Sequence, residues 1–157
     1  MLLIIETITW KPHIETAMEI AFRARDAGTP VVYCNLRAGL PTCEDRMRSH
    51  VLLDLPEVRI GRSRAILEAQ GIRYLRPAYT RAERRAALHW AREQIAGCGD
   101  IEAVKGLKYQ SFSDLGWSVI SSAASMTRDS QVAPATHRRL FVQLCAAAIL
   151  VYEKTKA

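Results

Sequence analysis

An α/β fold built on a short, mostly parallel sheet is what this sequence predicts, and three observations carry the prediction. Short apolar runs around Leu3 and Val32 are separated by a segment with helical spacing. A third short run follows near Ile72, and beyond it the chain reads as helix almost to its end. Strands that alternate with helices favour a parallel sheet, because a parallel pair needs a crossover long enough to hold a helix.

Taken in order, Leu2 to Ile8 is nearly continuous in apolar side chains, the pattern of a parallel strand covered on both faces. Pro12 suits a first helical turn, where its missing N–H costs nothing. Ile14, Ala17, Met18, Ala21 and Ala24 then recur at helical spacing until Gly28, with Glu15, Glu19 and Arg23 opposite. Pro30 to Leu36 reads as a second buried strand, which makes the opening a βαβ unit. From Arg37 to Leu55 the periodicity fails, and Gly39, Pro41 and many polar residues predict a long loop with a short helix around 46–52. A helix over 62–70 ending at Gly71, a third strand over 72–75 and a helix from Thr80 to Ala96 follow, with Thr80 and Glu83 at capping-box spacing. The last third is helical. Ser113 to Met126 sets Leu115, Val119, Ser122 and Met126 on one face, and Pro134 to Lys154 is apolar almost all round. A helix of that kind must be buried on several sides, so a further strand or a partner chain is expected to cover it. The whole is read as one domain over 1–157: a Rossmann-like, three-layer arrangement with about three strands and a helical C-terminal third.

Composition narrows the function. A chain of 157 residues, 49% of them hydrophobic, can bury a core without disulfides or metal. The net charge of +6 favours an anionic partner without choosing among phosphate, nucleic acid and anionic sugar. Four cysteines (Cys34, Cys43, Cys98, Cys145) lie scattered with no CxxC pair, which argues against a zinc ribbon or a disulfide framework and for reduced thiols. The apolar start is broken by Glu6 and lacks a basic leader, and the run from Leu140 to Tyr152 falls short of the roughly 20 residues a bilayer span needs. No membrane span and a cytoplasmic location are therefore expected. No glycine-rich phosphate loop follows the first strand, so no dinucleotide cofactor is expected, and the scattered cysteines give no reason to expect a metal.

Two stretches carry a resemblance. The segment Thr9-Trp10-Lys11-Pro12-His13-Ile14-Glu15-Thr16, with Leu40-Pro41-Thr42-Cys43-Glu44 after the second strand, resembles the amino-terminal part of bacterial capsule-polysaccharide-type glycosyltransferases. The later run Lys108-Tyr109-Gln110-Ser111-Phe112, with Gly116, Thr127-Arg128-Asp129 and the segment from Ala148 to Tyr152, is similar to that family's subsequent helices. The resemblance implies two Rossmann-like domains facing across a cleft, with the donor nucleotide sugar mainly on the second. The chain then corresponds to the acceptor-side half of a sugar transferase, incomplete and silent alone, with a sugar acceptor as ligand and a second copy or a donor-binding chain as partner. Further cysteines expected after Cys43 are missing, which leaves a cysteine cluster without support.

In open α/β sheets ligands bind beyond the carboxyl ends of the strands, so the loops Thr7 to His13 and Arg37 to Asp45 are the expected site. His13 has the proton affinity for a general base toward an acceptor hydroxyl, or else makes a local hydrogen bond in a first helical turn. Glu15 orients it or takes the role itself, or is a solvated helix charge. Trp10 stacks on a sugar ring or lids the core. Thr9, Lys11 and Thr42 line the same loops, Arg37 stands at the second strand's end, and Cys43 is either a thiol activated by Arg37 and Arg46 or an incidental one. Arg62 and Lys108, with Arg64, Lys105 and Arg128, form a basic rim for an anionic substrate or, each alone, a solvated charge. Two further readings compete: an interaction module docking a second chain through an apolar helix and an open sheet edge, and a nucleic-acid binder. The latter rests only on charge, including Arg81, Arg84 and Arg85, without a stacking platform.

Overall fold

The computed structural model describes residues 1–7, 11–37, 40, 55–129 and 131–156, with the side chains of Lys11, Leu55, Pro56 and Glu57 outside that description. The end of the expected first strand at Ile8, the short helix expected around 46–52, and Thr9, Trp10, Thr42 and Cys43 lie outside the described residues. The elements run β1 (Leu2–Glu6), α1 (Lys11–Asp26), β2 (Val31–Asn35), α2 (Leu55–Ala69), β3 (Arg73–Leu75), α3 (Arg81–Ala96), α4 (Ile101–Lys105), α5 (Leu115–Thr127) and α6 (Pro134–Thr155). This is the expected α/β class: a three-stranded parallel sheet alternating with helices, then a helical C-terminal part. The chain divides into two compact units, Met1–Gly39 with Cys43–Ala78, and Leu40–Thr42 with Tyr79–Ala157.

In the first unit the strands lie in the order β1-β2-β3, all parallel. Leu2 pairs with Val31, Ile4 with Tyr33 and Glu6 with Asn35, while Tyr33 pairs on its other side with Tyr74. Because successive side chains alternate between faces, these rows share one face. Leu2, Ile4, Val31, Tyr33 and Tyr74 pack there with Ala17, Met18, Ala21 and Phe22 of α1 and Leu67 of α2. α1 runs into a turn at Gly28, whose φ of 76° is the left-handed value glycine adopts at little cost, and its N–H donates to the Arg25 carbonyl at 2.8 Å. The expectation that β1 is covered on both faces does not hold: Leu3 is 49% and Ile5 43% exposed. The apolar run is continuous, but the helices joining these strands pack the row of Leu2 and Ile4, not the row of Leu3 and Ile5.

In the second unit α6 packs against both α3 and α5. Its Phe141, Leu144 and Cys145 are buried, and so are Val142, Ala146, Ile149 and Leu150 on its other side. Two flanking helices thus account for an apolar circumference that suggested a missing strand or partner. α5 turns Leu115, Val119 and Ala123 inward, whereas Ser122 and Met126, expected on that face, are half-buried. Gly116 lets α5 approach the end of α4, and its N–H donates to the Leu107 carbonyl at 3.1 Å. No helix among the described residues is long and apolar enough to cross a membrane.

Candidate functional site

β1 and β2 end side by side, and each ends on a polar residue: Glu6, 8% exposed, and Asn35, 2% exposed. A carboxylate and a carboxamide taken from water this completely are costly unless hydrogen-bonded, and both stand at the carboxyl ends of parallel strands. The Leu36 N–H donates to the Glu6 carbonyl at 2.8 Å, which ties the two strand ends together. The Arg37 N–H donates to Asn35 Oδ1 at 3.2 Å, which fixes that side chain and leaves its amide NH2 as the opposite end.

One residue pair deeper, on the same face, Tyr33 is 1% exposed, and its ring stacks on Tyr74 with centroids 5.7 Å apart and planes 12° from parallel. The Tyr33 hydroxyl is buried and has no hydrogen-bond partner among the described residues. Burial, then the Glu6 carboxylate, then Tyr74 push its pKa well above the usual phenol range. It therefore stays protonated at any physiological pH and can donate. Glu6 and Asn35 thus stand at the end of the sheet where α/β folds bind ligands, with Tyr33 one residue pair further from that end.

A second polar and aromatic constellation sits in the other unit. Tyr109 and Phe112 close a two-residue turn with paired backbone bonds of 3.2 and 2.8 Å, and Gln110 between them takes φ 52°. The Gln110 amide donates to Glu153 at 3.0 Å and accepts from Lys156 at 2.7 Å, and the Ser111 and Tyr152 hydroxyls meet at 2.6 Å. Trp90, Tyr109, Phe112 and Tyr152 add ring contacts of 5.2 to 5.9 Å. These groups bond to one another, so the cluster is a clasp holding the end of α6.

The residues singled out from sequence fall in several places. His13 and Glu15 stand exposed in the first turns of α1, which begins with the backbone of Lys11. Arg37 is half-buried beside Asn35. Arg62 is exposed on α2, and Arg64 there pairs with Glu68 at 2.9 Å. Lys108 and Arg128 are exposed in the other unit, where Lys105 pairs with Glu102 and lies over the Trp117 ring at 5.0 Å. Among the expected residues that are described, Arg37 is joined to the buried strand-end row through its backbone N–H. Sequence reasoning missed Glu6, Asn35 and Tyr33, treating Glu6 only as a break in an apolar start. The available signal was a polar residue closing each of two apolar strands.

Cys34 and Cys145 are buried, and burial raises the pKa of both thiols, that of Cys145 to about 12. Among the described residues no group of three or more His, Cys, Asp or Glu side chains is placed to hold a metal ion. Compared with protein-family models, with curated proteins and with solved structures, the chain matches none.

Proposed function

We propose that this chain is the acceptor-binding part of a sugar-transfer system of polysaccharide synthesis, with its site at the carboxyl ends of β1 and β2 and no transfer activity by itself. The observation that carries this reading is the pair of buried polar side chains, Glu6 and Asn35, at those strand ends. In such a transfer the acceptor hydroxyl gives its proton to a carboxylate as its oxygen bonds to the donor sugar's anomeric carbon and the donor's phosphate leaves. Glu6 is the carboxylate we assign to that step, and His13 and Glu15, exposed on α1, meet solvent or the second substrate. The donor belongs to a second domain or chain, in keeping with the missing glycine-rich loop after β1.

Thermal melting with nucleotides, nucleotide sugars and neutral oligosaccharides tests this. A ligand that binds only the folded state adds about 2.7 kcal/mol of stability at a hundred times its dissociation constant. The reading expects a rise with an oligosaccharide acceptor and none with any nucleotide; a clear rise with a nucleotide overturns it.

A second reading, an interaction module, is favoured by one observation. β1 is an edge strand among the described residues, and it leaves Met1, Leu3 and Ile5 exposed. Light scattering that returns the mass of one 17.6 kDa chain at all concentrations removes self-association from that reading.

A further inference from the structure

We infer that the outer edge of β1 pairs antiparallel with the β1 edge of a second copy of this chain, about a twofold axis at Ile4, and so joins two three-stranded sheets into one. The inference rests on the interaction-module reading, names its partner, and stands apart from the acceptor reading. Backbone geometry carries it. The Leu2 N–H donates to the Pro30 carbonyl and the Leu36 N–H to the Glu6 carbonyl, each at 2.8 Å. Leu2, Ile4 and Glu6 therefore turn their N–H and C=O groups toward β2. The alternate residues Leu3 and Ile5 turn theirs the other way, to an edge that no described strand occupies. The side chains of these same two residues, 49% and 43% exposed, stand on the face away from α1.

The register and the charge choose a second copy. With Ile4 on the axis, Leu3 faces the partner's Ile5 and Ile5 the partner's Leu3, and each such pair exchanges two backbone hydrogen bonds. The outward groups of both residues are then used, and apolar side chains meet in both pairs. Moving the axis by one residue sends Leu3 or Ile5 to pair outside β1, with Thr7 or Met1. Residues 1–37 carry four basic and four acidic side chains, so the net charge of +6 lies elsewhere in the chain and does not drive two such edges apart. The opposite edge is unlike this one. β3 is three residues long and carries the exposed Arg73, and short length and charge are what discourage strand pairing; β1 has neither a basic residue nor a proline. An apolar residue of α1 lies on the same side as the β1 edge. Arg25 of α1 stacks over Phe22 at 5.4 Å and donates to Gln70, just past α2, at 2.6 Å, so that flank of α1 faces α2. Ile20, 50% exposed, is two positions from Phe22 and so stands on the other flank, which the twofold axis turns toward its counterpart.

The test is sedimentation velocity with light scattering on the full chain, carried up to millimolar concentration. Twice the 17.6 kDa chain mass is expected at the upper end and nothing larger, because a pairing of identical edges closes at two. Leu3→Lys with Ile5→Lys sets lysine against lysine in both pairs and is expected to weaken the dimer at least about tenfold. Leu3→Lys with Ile5→Glu sets lysine against glutamate and is expected to restore it. Both positions are exposed in the single chain, and circular dichroism checks that the variants fold. Hydrogen exchange reads the same contact without any substitution: the Leu3 and Ile5 amides are expected to be protected in the dimer and to exchange freely on dilution. The mass of one chain at every concentration, or assemblies beyond two, overturns the inference, and the first result leaves the interaction reading only a different protein as partner. A dimer that keeps its affinity in the double lysine variant, with the Leu3 and Ile5 amides unprotected, overturns the β1 edge while self-association stands. A lysine and glutamate variant no tighter than the double lysine one overturns the register.

Discussion

A methyl group on Gly116 would stand 2.0 Å from the Val104 carbonyl oxygen and 2.7 Å from that of Lys105, both backbone atoms that cannot swing aside. Alanine gains up to about 1 kcal/mol in helix propensity over glycine, yet forcing α4 and α5 apart costs about 1–3 kcal/mol, so the clash wins. Gly116→Ala is expected to lower Tm by several degrees in a melt followed by circular dichroism. The buried thiols allow a second prediction. Cys145, held protonated by burial first and by Cys98 second, and Cys34, held so by burial, resist alkylation at pH 8 in the folded chain and react once it is unfolded, as mass mapping of labelled peptides will read. At this scale the sequence was legible for packing and poor for the site. Cys34 and Cys145 announce burial by their apolar neighbours. Glu6 and Asn35 do not, because nothing local tells a polar residue that ends a buried strand from one that begins a solvated loop.

Thr80 and Glu83 form a reciprocal cap on α3. The Thr80 N–H donates to Glu83 Oε2 at 2.6 Å, and the Glu83 N–H donates to Thr80 Oγ1 at 3.1 Å. Thr80→Ala is expected to cost about 1 kcal/mol in denaturant melting. Lys154 on α6 reaches the same carboxylate at 2.7 Å, and its hydrogen bond, followed by that of the Thr80 backbone, holds the Glu83 pKa down at about 2. The folded state therefore binds this proton more weakly than the unfolded chain. The contribution is complete above about pH 4.5 and is lost as pH falls toward 2. Glu83→Gln should flatten the stability profile between those values and leave it unchanged in slope near neutrality; an unaltered acid limb would contradict the assignment. Elements with strong period or chemistry were legible, as β2, α1 and the capping box show. α2 begins seven residues before its expected start because Pro56, which suits a first helical turn, stands in a stretch without helical period. α4 escaped notice because five residues carry no period, although Asp100 caps it by accepting from Ala103 at 2.8 Å.

Across the whole molecule, an excess of six positive charges competes with the chemistry of a single site. Charge alone predicts nucleic-acid or phosphate affinity, whereas the proposed acceptor is a neutral oligosaccharide. Random-sequence DNA is therefore expected to show no binding in low-salt fluorescence anisotropy, in spite of Arg81, Arg84 and Arg85 on α3; saturable, salt-dependent binding would favour the nucleic-acid reading instead. The α/β class was legible from alternation alone. The side of the sheet that the helices cover was not, because apolar runs look alike whether one face or both are buried, and only the exposure of Leu3 and Ile5 tells them apart. The most direct test of the site is an amide chemical-shift map of the labelled full chain titrated with the oligosaccharide that raises its melting temperature most. The largest changes are expected at Glu6, Tyr33, Asn35 and Arg37, with little at the α6 clasp of Gln110 and Glu153. Changes concentrated at that clasp, or none at the strand ends, would contradict a site at the carboxyl edge of the sheet.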